Sequence, residues 1–324
     1  MAIRREEIVE FLGEDWMRTV ELMHGSLRSD ISLLQRVNAD ILAHSGKMLR
    51  PMVSLLFAGV CGQINEDAHC FAAASELLHN ATLLHDDVAD ESDTRRGNPT
   101  LRSSLGPSAA VLVGDFWLSR AVDLLIDTEH RDQVVTLFSK TLTDLAEGEM
   151  LQLQMALGSS THEPEYYKII YCKTASLFVS ACESGAIAAG ASESMREAAR
   201  AYATALGTAF QIKDDILDYT GDGSLGKPVG IDLKEQKITL PLLCAMAGSP
   251  EEGRIRSMVK DIDSHPEYCE QIQKFVIDRG GVELASRVLE DYVAKALDAL
   301  KLFPQSRYRE MLEGIALYNS IRTN

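Results

Sequence analysis

The chain has 324 residues, 46% of them hydrophobic and 25% charged, with a formal net charge of −16. This balance is ordinary for a soluble globular protein, and the acidic excess argues against nucleic-acid binding, which favours basic surfaces. The first residues lack the apolar core of a signal peptide, and no apolar run approaches the ~20 residues of a membrane span. We therefore expect a cytoplasmic protein with no transmembrane segment. The 6 cysteines include no Cys-x-x-Cys pair, so neither a zinc site nor a disulfide framework is indicated.

Helical periodicity dominates the chain, and convincing strand alternation is nearly absent, which predicts an all-α protein. No linker rich in Pro, Gly or Ser divides the chain, so we predict a single domain over residues 1–324. Polar loops are expected at 92–106 and 221–236. Helices are expected over residues 3–23, 28–43, 51–61, a long run ending near 91, 107–127, 130–157, 163–189 and 193–219, followed by shorter helices from 239 onward.

An acidic motif closes the long helix that is predicted to end near residue 91. Asp86 and Asp90 are four residues apart, so their carboxylates lie on one face of a helix, with Asp87 beside them. Like charges at this spacing destabilise an empty helix, and hard oxygen ligands suit Mg²⁺. Taken alone, such a cluster is more often solvated surface than a metal site.

A second copy of the pattern makes the metal interpretation stronger. Asp214, Asp215 and Asp218 repeat the Asp-Asp-x-x-Asp spacing, again after an apolar run and before a glycine-rich loop. Two such patterns, each followed by basic residues, predict two walls of one metal–diphosphate site. Without bridging cations these carboxylates would repel an anionic substrate, so the acidic site itself implies a divalent metal.

Several cations stand near the two acidic motifs. Lys47 and Arg50 lie three apart at a helix junction, where a solvated helix start is the simpler interpretation. Arg95 and Arg96 follow the first motif and could clamp phosphate oxygens, or they could merely neutralise the acids of residues 90–93. Lys173 lies mid-helix in an apolar stretch, and a buried lysine needs a partner, which favours an anionic ligand.

His85-Asp86 also permits a His-Asp metal phosphohydrolase, but the other histidines lack ligand spacing for that chemistry. His79 is seven residues before Asp86 and lies on nearly the same helical face. Alone, it is a core or interface histidine more often than a functional one.

Together these residues closely resemble the trans-isoprenyl diphosphate synthases, the polyprenyl synthetase family. Residues 86–97 and 214–218 are similar to the family's two aspartate-rich motifs, and the resemblance covers nearly the whole chain except 248–324, which matches only as helical sequence. The other residues that stand in family order are Gly46-Lys47-x-x-Arg50, Lys173-Thr174, Gln211, Gly226-Lys227 and Asp232-Leu233-x-Glu235-x-Lys237-x-Thr239-Leu240-Pro241-Leu242-Leu243.

The resemblance implies a role for each matching residue. Asp86 and Asp90 would bind two Mg²⁺ ions and Asp214 a third, with Asp215 and Asp218 in support. The allylic diphosphate would be held by Arg95, Lys173, Gln211 and Lys227, with Thr174 and Lys237 nearby. Isopentenyl diphosphate would be held by Lys47, Arg50, His79 and Arg96.

The resemblance also implies a fold and a reaction. The fold would be a bundle of long antiparallel helices around a deep central cavity, in a homodimer. The reaction would join isopentenyl diphosphate to an allylic diphosphate through an allylic carbocation. Two alternatives remain: a terpene cyclase, which needs no second diphosphate site, and a subunit of a heteromeric synthase, which could lack metal ligands that this chain retains.

Several residues one to three turns before the first motif are small, and the resemblance links their size to the length of the product. Ala81 is five residues before Asp86 and Thr82 is four, and Ala74 and Ser75 lie two turns lower. Short-chain members of the family carry aromatic side chains at the level of Ala81 and Thr82. We therefore expect an open tunnel and a long all-trans product close to octaprenyl diphosphate, for a quinone side chain, although close helix packing also uses small residues. A shorter farnesyl or geranylgeranyl product is the alternative.

Overall fold

The computed structural model describes residues 3–95, 97–220 and 230–321, and within them the all-α prediction is confirmed. The helices are α1 Arg5–Ser26, α2 Ser32–Ala43, α3 Leu49–Cys61, α4 Glu66–Ala89, α5 Leu101–Leu105, α6 Pro107–Ile126, α7 Arg131–Gly158, α8 Glu163–Ile170, α9 Ser176–Ala188, α10 Glu193–Thr220, α11 Ile231–Lys234, α12 Leu240–Met246, α13 Glu252–Lys260, α14 Tyr268–Asp278, α15 Gly281–Ala299 and α16 Arg307–Ile321. None of these helices is long and apolar enough to cross a membrane.

Four segments differ from the sequence-based prediction. Residues 221–229 of the expected loop 221–236 lie outside the described residues, and its remaining part contains α11. The expected loop 92–106 contains an antiparallel hairpin of β1 (Thr94–Arg95) and β2 (Asn98–Pro99), followed by α5. Thr100 caps α5 by accepting a hydrogen bond from the Ser103 N–H at 3.1 Å. Helix α3 begins two residues before Pro51, after Met48 in a left-handed conformation. The expected helix 163–189 is interrupted by a π-helical turn over Tyr171–Ala175, which joins α8 to α9.

Helix α4 lies at the centre of the main core and packs against α1, α3, α6 and α9. Close packing is helped by the small residues among its buried positions, since Ala68, Ala72, Ala73 and Ala74 are all fully buried. Helices α9 and α3 also approach closely, since a Cβ at Gly185 would meet the Ser54 carbonyl oxygen at 2.0 Å. Helix α10 packs against α9 and α15. The two helices that end in acidic motifs thus both contact α9.

Candidate active site

The first acidic motif occupies the end of α4. The Asp90 N–H donates to the Asp86 carbonyl oxygen at 2.8 Å and ends the helix. Burial raises the pKa of Asp86 to about 6, with Lys173 acting to lower it and Glu149 and Asp90 acting to raise it further. Asp90, Glu149 and Lys173 come from three parts of the chain, so the Asp86 carboxylate lies close to where α4, α7 and the π-helical turn at Tyr171–Ala175 meet.

Arg95 is paired within the first motif itself. Its Nε donates to Asp87 Oδ1 at 2.8 Å. Burial raises the pKa of Asp87, and the Arg95 guanidinium opposes that shift. Arg102 pairs with Asp93 at 2.9 Å. Arg95 therefore pairs with Asp87, which the alternative interpretation of this loop did not name, and the acid at residue 93 is paired with Arg102.

Asp87 and Arg95 also line a cavity of about 320 Å³ between α2, α4 and α5. Its other lining residues include Arg36, Asn80 and Leu101. Arg95 therefore borders open space beside its ion pair.

Lys173 and Thr174 project from the π turn, where two glycines allow close contact. A Cβ at Gly148 of α7 would lie 2.6 Å from Cys172 Cβ, and one at Gly207 of α10 would lie 2.5 Å from Ala175 Cα. Such distances are far inside van der Waals contact. The turn is therefore held between α7 and α10. π-helical turns occur frequently at functional sites.

The half-buried Lys173 has an anionic partner within the chain. Its ammonium lies 2.5 Å from Glu149 Oε2 and donates to Gln152 Oε1 at 3.0 Å. Gln152 Nε2 donates in turn to Glu149 Oε1 at 3.2 Å. An anion of the chain itself thus satisfies Lys173 in this structure.

A chain of hydrogen bonds connects the π turn to the second motif. Thr174 Oγ1 donates to Gln211 Oε1 at 2.8 Å, and Gln211 Nε2 donates to Asp215 Oδ1 at 3.0 Å. Tyr166 of α8 donates to the other oxygen of Asp215 at 2.6 Å. Burial raises the pKa of Asp215, while the Tyr166 and Gln211 donors act to lower it.

Asp218 connects the second motif to the segment that begins at Gly230. Its Oδ1 accepts from the Ile231 N–H at 3.1 Å and its Oδ2 from the Asp232 N–H at 3.2 Å. Each carboxylate oxygen keeps a further lone pair for another ligand. Burial raises the pKa of Asp218, and these backbone donors oppose the shift.

Lys237 follows α11 in the chain and pairs with Glu235. Its burial acts to lower the pKa of Lys237, but Glu235, Asp90 and Asp232 outweigh that effect and raise it. Because Asp90 affects the pKa of Lys237, the end of α4 lies near the segment from Gly230 to Lys237. Asp218 is hydrogen-bonded to the start of that segment.

Three of the residues predicted for isopentenyl diphosphate lie on α3, just before it and on α4. The Lys47 Nζ is 3.4 Å from the Tyr318 hydroxyl, and the Arg50 guanidinium lies 4.7 Å from the centre of the Phe178 ring. His79 lies two turns below the first motif, and its carbonyl accepts from Thr82 Oγ1 at 2.8 Å.

The described part of the chain therefore brings together one set of predicted residues. Its members are connected by hydrogen bonds or by electrostatic effects on one another: Asp86, Asp90, Lys173, Thr174, Gln211, Asp215, Asp218 and Lys237. Asp214 lies on α10 one turn before Asp218. Ala81 is fully buried, and Thr82 is half-buried. Arg96 and Lys227 lie outside the described residues.

Three residues of this region were missed by sequence reasoning: Tyr166, Glu149 and Gln152. Glu149 and Gln152 lie three residues apart on one face of α7, a spacing that many solvated helices share. The requirement for a partner of Lys173 was a signal that such residues exist, but it did not say which they are.

The carboxylates present fit a hard divalent cation. Asp86 and Asp218 are held in places where burial makes their charge costly, as the raised pKa of each indicates, and a bound cation would remove that cost. Within the described ranges no three His, Cys, Asp or Glu side chains already converge as a ligand set. This is compatible with Mg²⁺, which uses few carboxylates and completes its shell with water and phosphate oxygens.

Comparison with known proteins agrees with this architecture. Residues 31–276 match the polyprenyl synthetase family. The chain is 39% identical over 312 residues to the all-trans-nonaprenyl-diphosphate synthase (geranyl-diphosphate specific) of Rhodobacter capsulatus, covering 95% of each protein. It is 37% identical over 313 residues to the octaprenyl diphosphate synthase of Escherichia coli, covering 96% of this chain and 97% of that protein.

A solved structure shows the same fold. The polyprenyl synthase from Caulobacter crescentus, complexed with calcium and isoprenyl diphosphate, superposes with a TM-score of 0.91 at 33% identity, covering 100% of this chain and 99% of that one. The fold is thus that of the all-α isoprenoid synthases, and the protein is a prenyltransferase. The chain belongs to the polyprenyl synthetase family.

Proposed function

We propose that this protein is a magnesium-dependent, chain-elongating prenyltransferase that condenses isopentenyl diphosphate with an allylic diphosphate to make a long all-trans polyprenyl diphosphate. The observation that carries the proposal is the proximity of the two motifs: Lys173 acts electrostatically on Asp86, and the adjacent Thr174 is hydrogen-bonded through Gln211 to Asp215. These interactions join two acidic motifs and a cation around one region, as a metal–diphosphate site requires.

The proposed roles follow the chemistry of each group. Mg²⁺ held by Asp86, Asp90, Asp214 and Asp218 would neutralise the charge of the departing diphosphate. Arg95, Lys173, Gln211, Lys227, Thr174 and Lys237 would bind the allylic diphosphate. Lys47, Arg50, His79 and Arg96 would bind isopentenyl diphosphate. Exclusion of water from the site would protect the allylic carbocation, which the isopentenyl double bond would attack before a proton is lost to the released diphosphate.

The product proposed is close to octaprenyl diphosphate. The names of relatives that are similar over nearly the full chain, octaprenyl and nonaprenyl diphosphate synthase, support a long product. The small side chain of the buried Ala81 supports it from the sequence. A shorter farnesyl or geranylgeranyl product remains the alternative.

We further propose a cytoplasmic homodimer in which the whole chain is one polyprenyl synthetase domain. Apolar side chains on α6 and α7 are exposed, with Leu112 at 68%, Met150 at 66% and Leu157 at 81%. These two helices pack against each other, and large exposed apolar side chains on neighbouring helices are candidates for burial in a protein interface. A Leu112→Glu/Leu157→Glu double variant should convert dimer to monomer in light scattering, and an unchanged mass would contradict this interface.

The test of function is incubation of the pure protein with farnesyl and isopentenyl diphosphates plus Mg²⁺, followed by sizing of the products. Long products are expected only when both substrates are present. Products formed from the allylic substrate alone would indicate a cyclase, and inactivity of the pure chain would indicate a subunit of a heteromeric enzyme. Asp86→Ala and Asp214→Ala should each abolish turnover while helix content by circular dichroism stays intact.

The two diphosphate sites are tested separately. Lys173→Ala should mainly raise the KM for the allylic substrate, and Arg96→Ala should mainly raise the KM for isopentenyl diphosphate. An effect of both variants on the same substrate would overturn the assignment of two sites.

A further inference from the structure

Three side chains form a closed triangle beside the first acidic motif. Glu149 Oε2 lies 2.5 Å from the Lys173 ammonium, Lys173 donates to Gln152 Oε1 at 3.0 Å, and Gln152 donates to Glu149 Oε1 at 3.2 Å. Both oxygens of the Glu149 carboxylate are therefore engaged. The Lys173 ammonium is held in one place by two neighbours from a single face of α7.

This ion pair can be opened by a ligand. The Lys173 side chain is 26% exposed and that of Glu149 is 22% exposed, so the pair lies at the surface of the site and is not sealed in the core. Partly exposed ion pairs contribute little net stability. Replacing the Glu149 carboxylate by another anion at Lys173 should therefore cost little free energy.

The backbone under Lys173 has no room to move with the exchange. Gly148 and Gly207 press on the π turn from two sides, with Cβ positions 2.6 Å from Cys172 Cβ and 2.5 Å from Ala175 Cα. Glu149 itself directly follows Gly148. Any change of partner must come from rotation of the side chains of Glu149 and Lys173.

We propose that Glu149 is a built-in counter-ion that occupies the Lys173 ammonium until a metal-complexed allylic diphosphate displaces it. Glu149 is then a positioning residue for that substrate. This inference rests on the diphosphate-binding role proposed for Lys173.

The displaced carboxylate gives the site its selectivity. Once released, Glu149 adds a negative charge beside Asp86, whose pKa it already raises. Binding of a metal-free diphosphate is therefore made less favourable in two ways: the Glu149–Lys173 ion pair is lost, and the released carboxylate repels the ligand. A diphosphate that arrives with divalent cations brings positive charge to offset both. Glu149 thus discriminates against metal-free diphosphate.

The test measures binding of inorganic pyrophosphate by titration calorimetry, with and without Mg²⁺. Glu149→Gln keeps the shape and the contact with Gln152 but removes the charge. It should tighten metal-free pyrophosphate binding about tenfold, because an opposing charge a few ångströms from the ligand is worth about 1.4 kcal/mol or more. The ratio between affinities with and without Mg²⁺ should fall accordingly.

Two further variants isolate the effect. Glu147→Gln removes the same charge from an exposed position two residues away on α7 and should change metal-free affinity less than about twofold. Adding Lys173→Gln to Glu149→Gln should cancel the gain. A purely structural Glu149 would instead give weaker binding in Glu149→Gln.

Failures of the two proposals are distinguishable. In the first case, pyrophosphate binds the wild type in the presence of Mg²⁺, but in the absence of Mg²⁺ it binds Glu149→Gln no more tightly than it binds the wild type. This result overturns the counter-ion role and leaves the diphosphate site standing. Pyrophosphate that binds no variant even with Mg²⁺ overturns the diphosphate site, and the counter-ion role with it.

Discussion

Tyr166 donates its hydroxyl hydrogen to Asp215 across 2.6 Å, from α8 to α10. Asp215 is the middle carboxylate of the second acidic motif and is only 2% exposed. Gln211, one turn earlier on α10, supplies the other donor at 3.0 Å. The carboxylate is therefore oriented by two hydrogen bonds within the protein, while Asp214 and Asp218 flank it on the same helix.

Tyr166→Phe should weaken the second motif. The change leaves one buried carboxylate oxygen without this donor, which should lower the free energy of unfolding by about 1–3 kcal/mol. Because the Tyr166 hydroxyl acts to lower the pKa of Asp215, its loss should raise that pKa further. The acidic limb of the rate–pH profile should then move to higher pH. Thermal unfolding and turnover measured across pH check both effects.

The control for this prediction is Tyr167→Phe. The Tyr167 ring lies 5.4 Å from that of Tyr166, so it samples the same region of α8 without donating to Asp215. The acidic limb of the rate–pH profile of Tyr167→Phe should lie at the same pH as that of the wild type. Equal shifts in both variants would contradict a specific role for the Tyr166 hydroxyl.

Gly207→Ala should disturb the π turn. The new methyl group would lie 2.5 Å from the backbone Cα of Ala175, which cannot rotate away as a side chain can. Overpacking of this kind costs about 1–3 kcal/mol, and the shifted turn should raise the KM for the allylic substrate. Chemical denaturation and steady-state kinetics measure the two quantities.

Gly253→Ala is the matched control, since this helical glycine has nothing within 4 Å of its Cβ position. Alanine should stabilise α13 slightly through its higher helix propensity and leave the KM unchanged. If Gly207→Ala is as stable as this control, the π-helical turn accommodates the added methyl group without strain, and the prediction is wrong.

The metal-free protein should lose stability as pH rises from about 4 to about 6. The pKa of Asp86 is raised by burial from 3.8 to about 6, so over this range the folded state binds more protons than the unfolded state. Stability therefore falls with increasing pH through the window and stays lower above it. Relative to wild type, Asp86→Asn should be about 1–3 kcal/mol more stable at pH 7 than at pH 4. Denaturation at both pH values measures the difference.

Magnesium provides the control for the pH effect, because a bound cation favours the ionised carboxylate. Its stabilisation of the wild type should be larger at pH 7 than at pH 5. The Asp86→Asn protein should gain less from the metal at either pH. Equal stabilisation of both proteins would count against Asp86 as a ligand.

Ala81→Phe should shorten the product. Ala81 is fully buried one turn below the first motif, and no catalytic group is touched by the change. We expect mainly farnesyl or geranylgeranyl diphosphate while the first condensation survives, as judged by chromatography of the dephosphorylated products. Ala81→Ser adds a single atom and should keep the long product. A long product from Ala81→Phe would mean that the chain grows along another face of the site.

Much of the architecture was predictable because it depends on neighbours along the chain. A repeat of apolar residues at helical spacing identifies a helix whatever it packs against, so α4 and α10 end within two residues of where they were expected. The two Asp-Asp-x-x-Asp motifs are likewise local, because residues four apart share a helical face. Helical class and the position of both motifs at helix ends therefore followed from the sequence alone.

Other features were decided only by tertiary structure. The π turn at Tyr171–Ala175 leaves the apolar pattern almost unchanged, and it is held by two glycines from distant helices. Glu149 is the partner of Lys173, and Tyr166 that of Asp215, at separations of 24 and 49 residues. Local periodicity cannot choose among the many acids and tyrosines of this chain. Only the packing of α7, α8 and α10 around the site brings these particular groups within hydrogen-bonding distance.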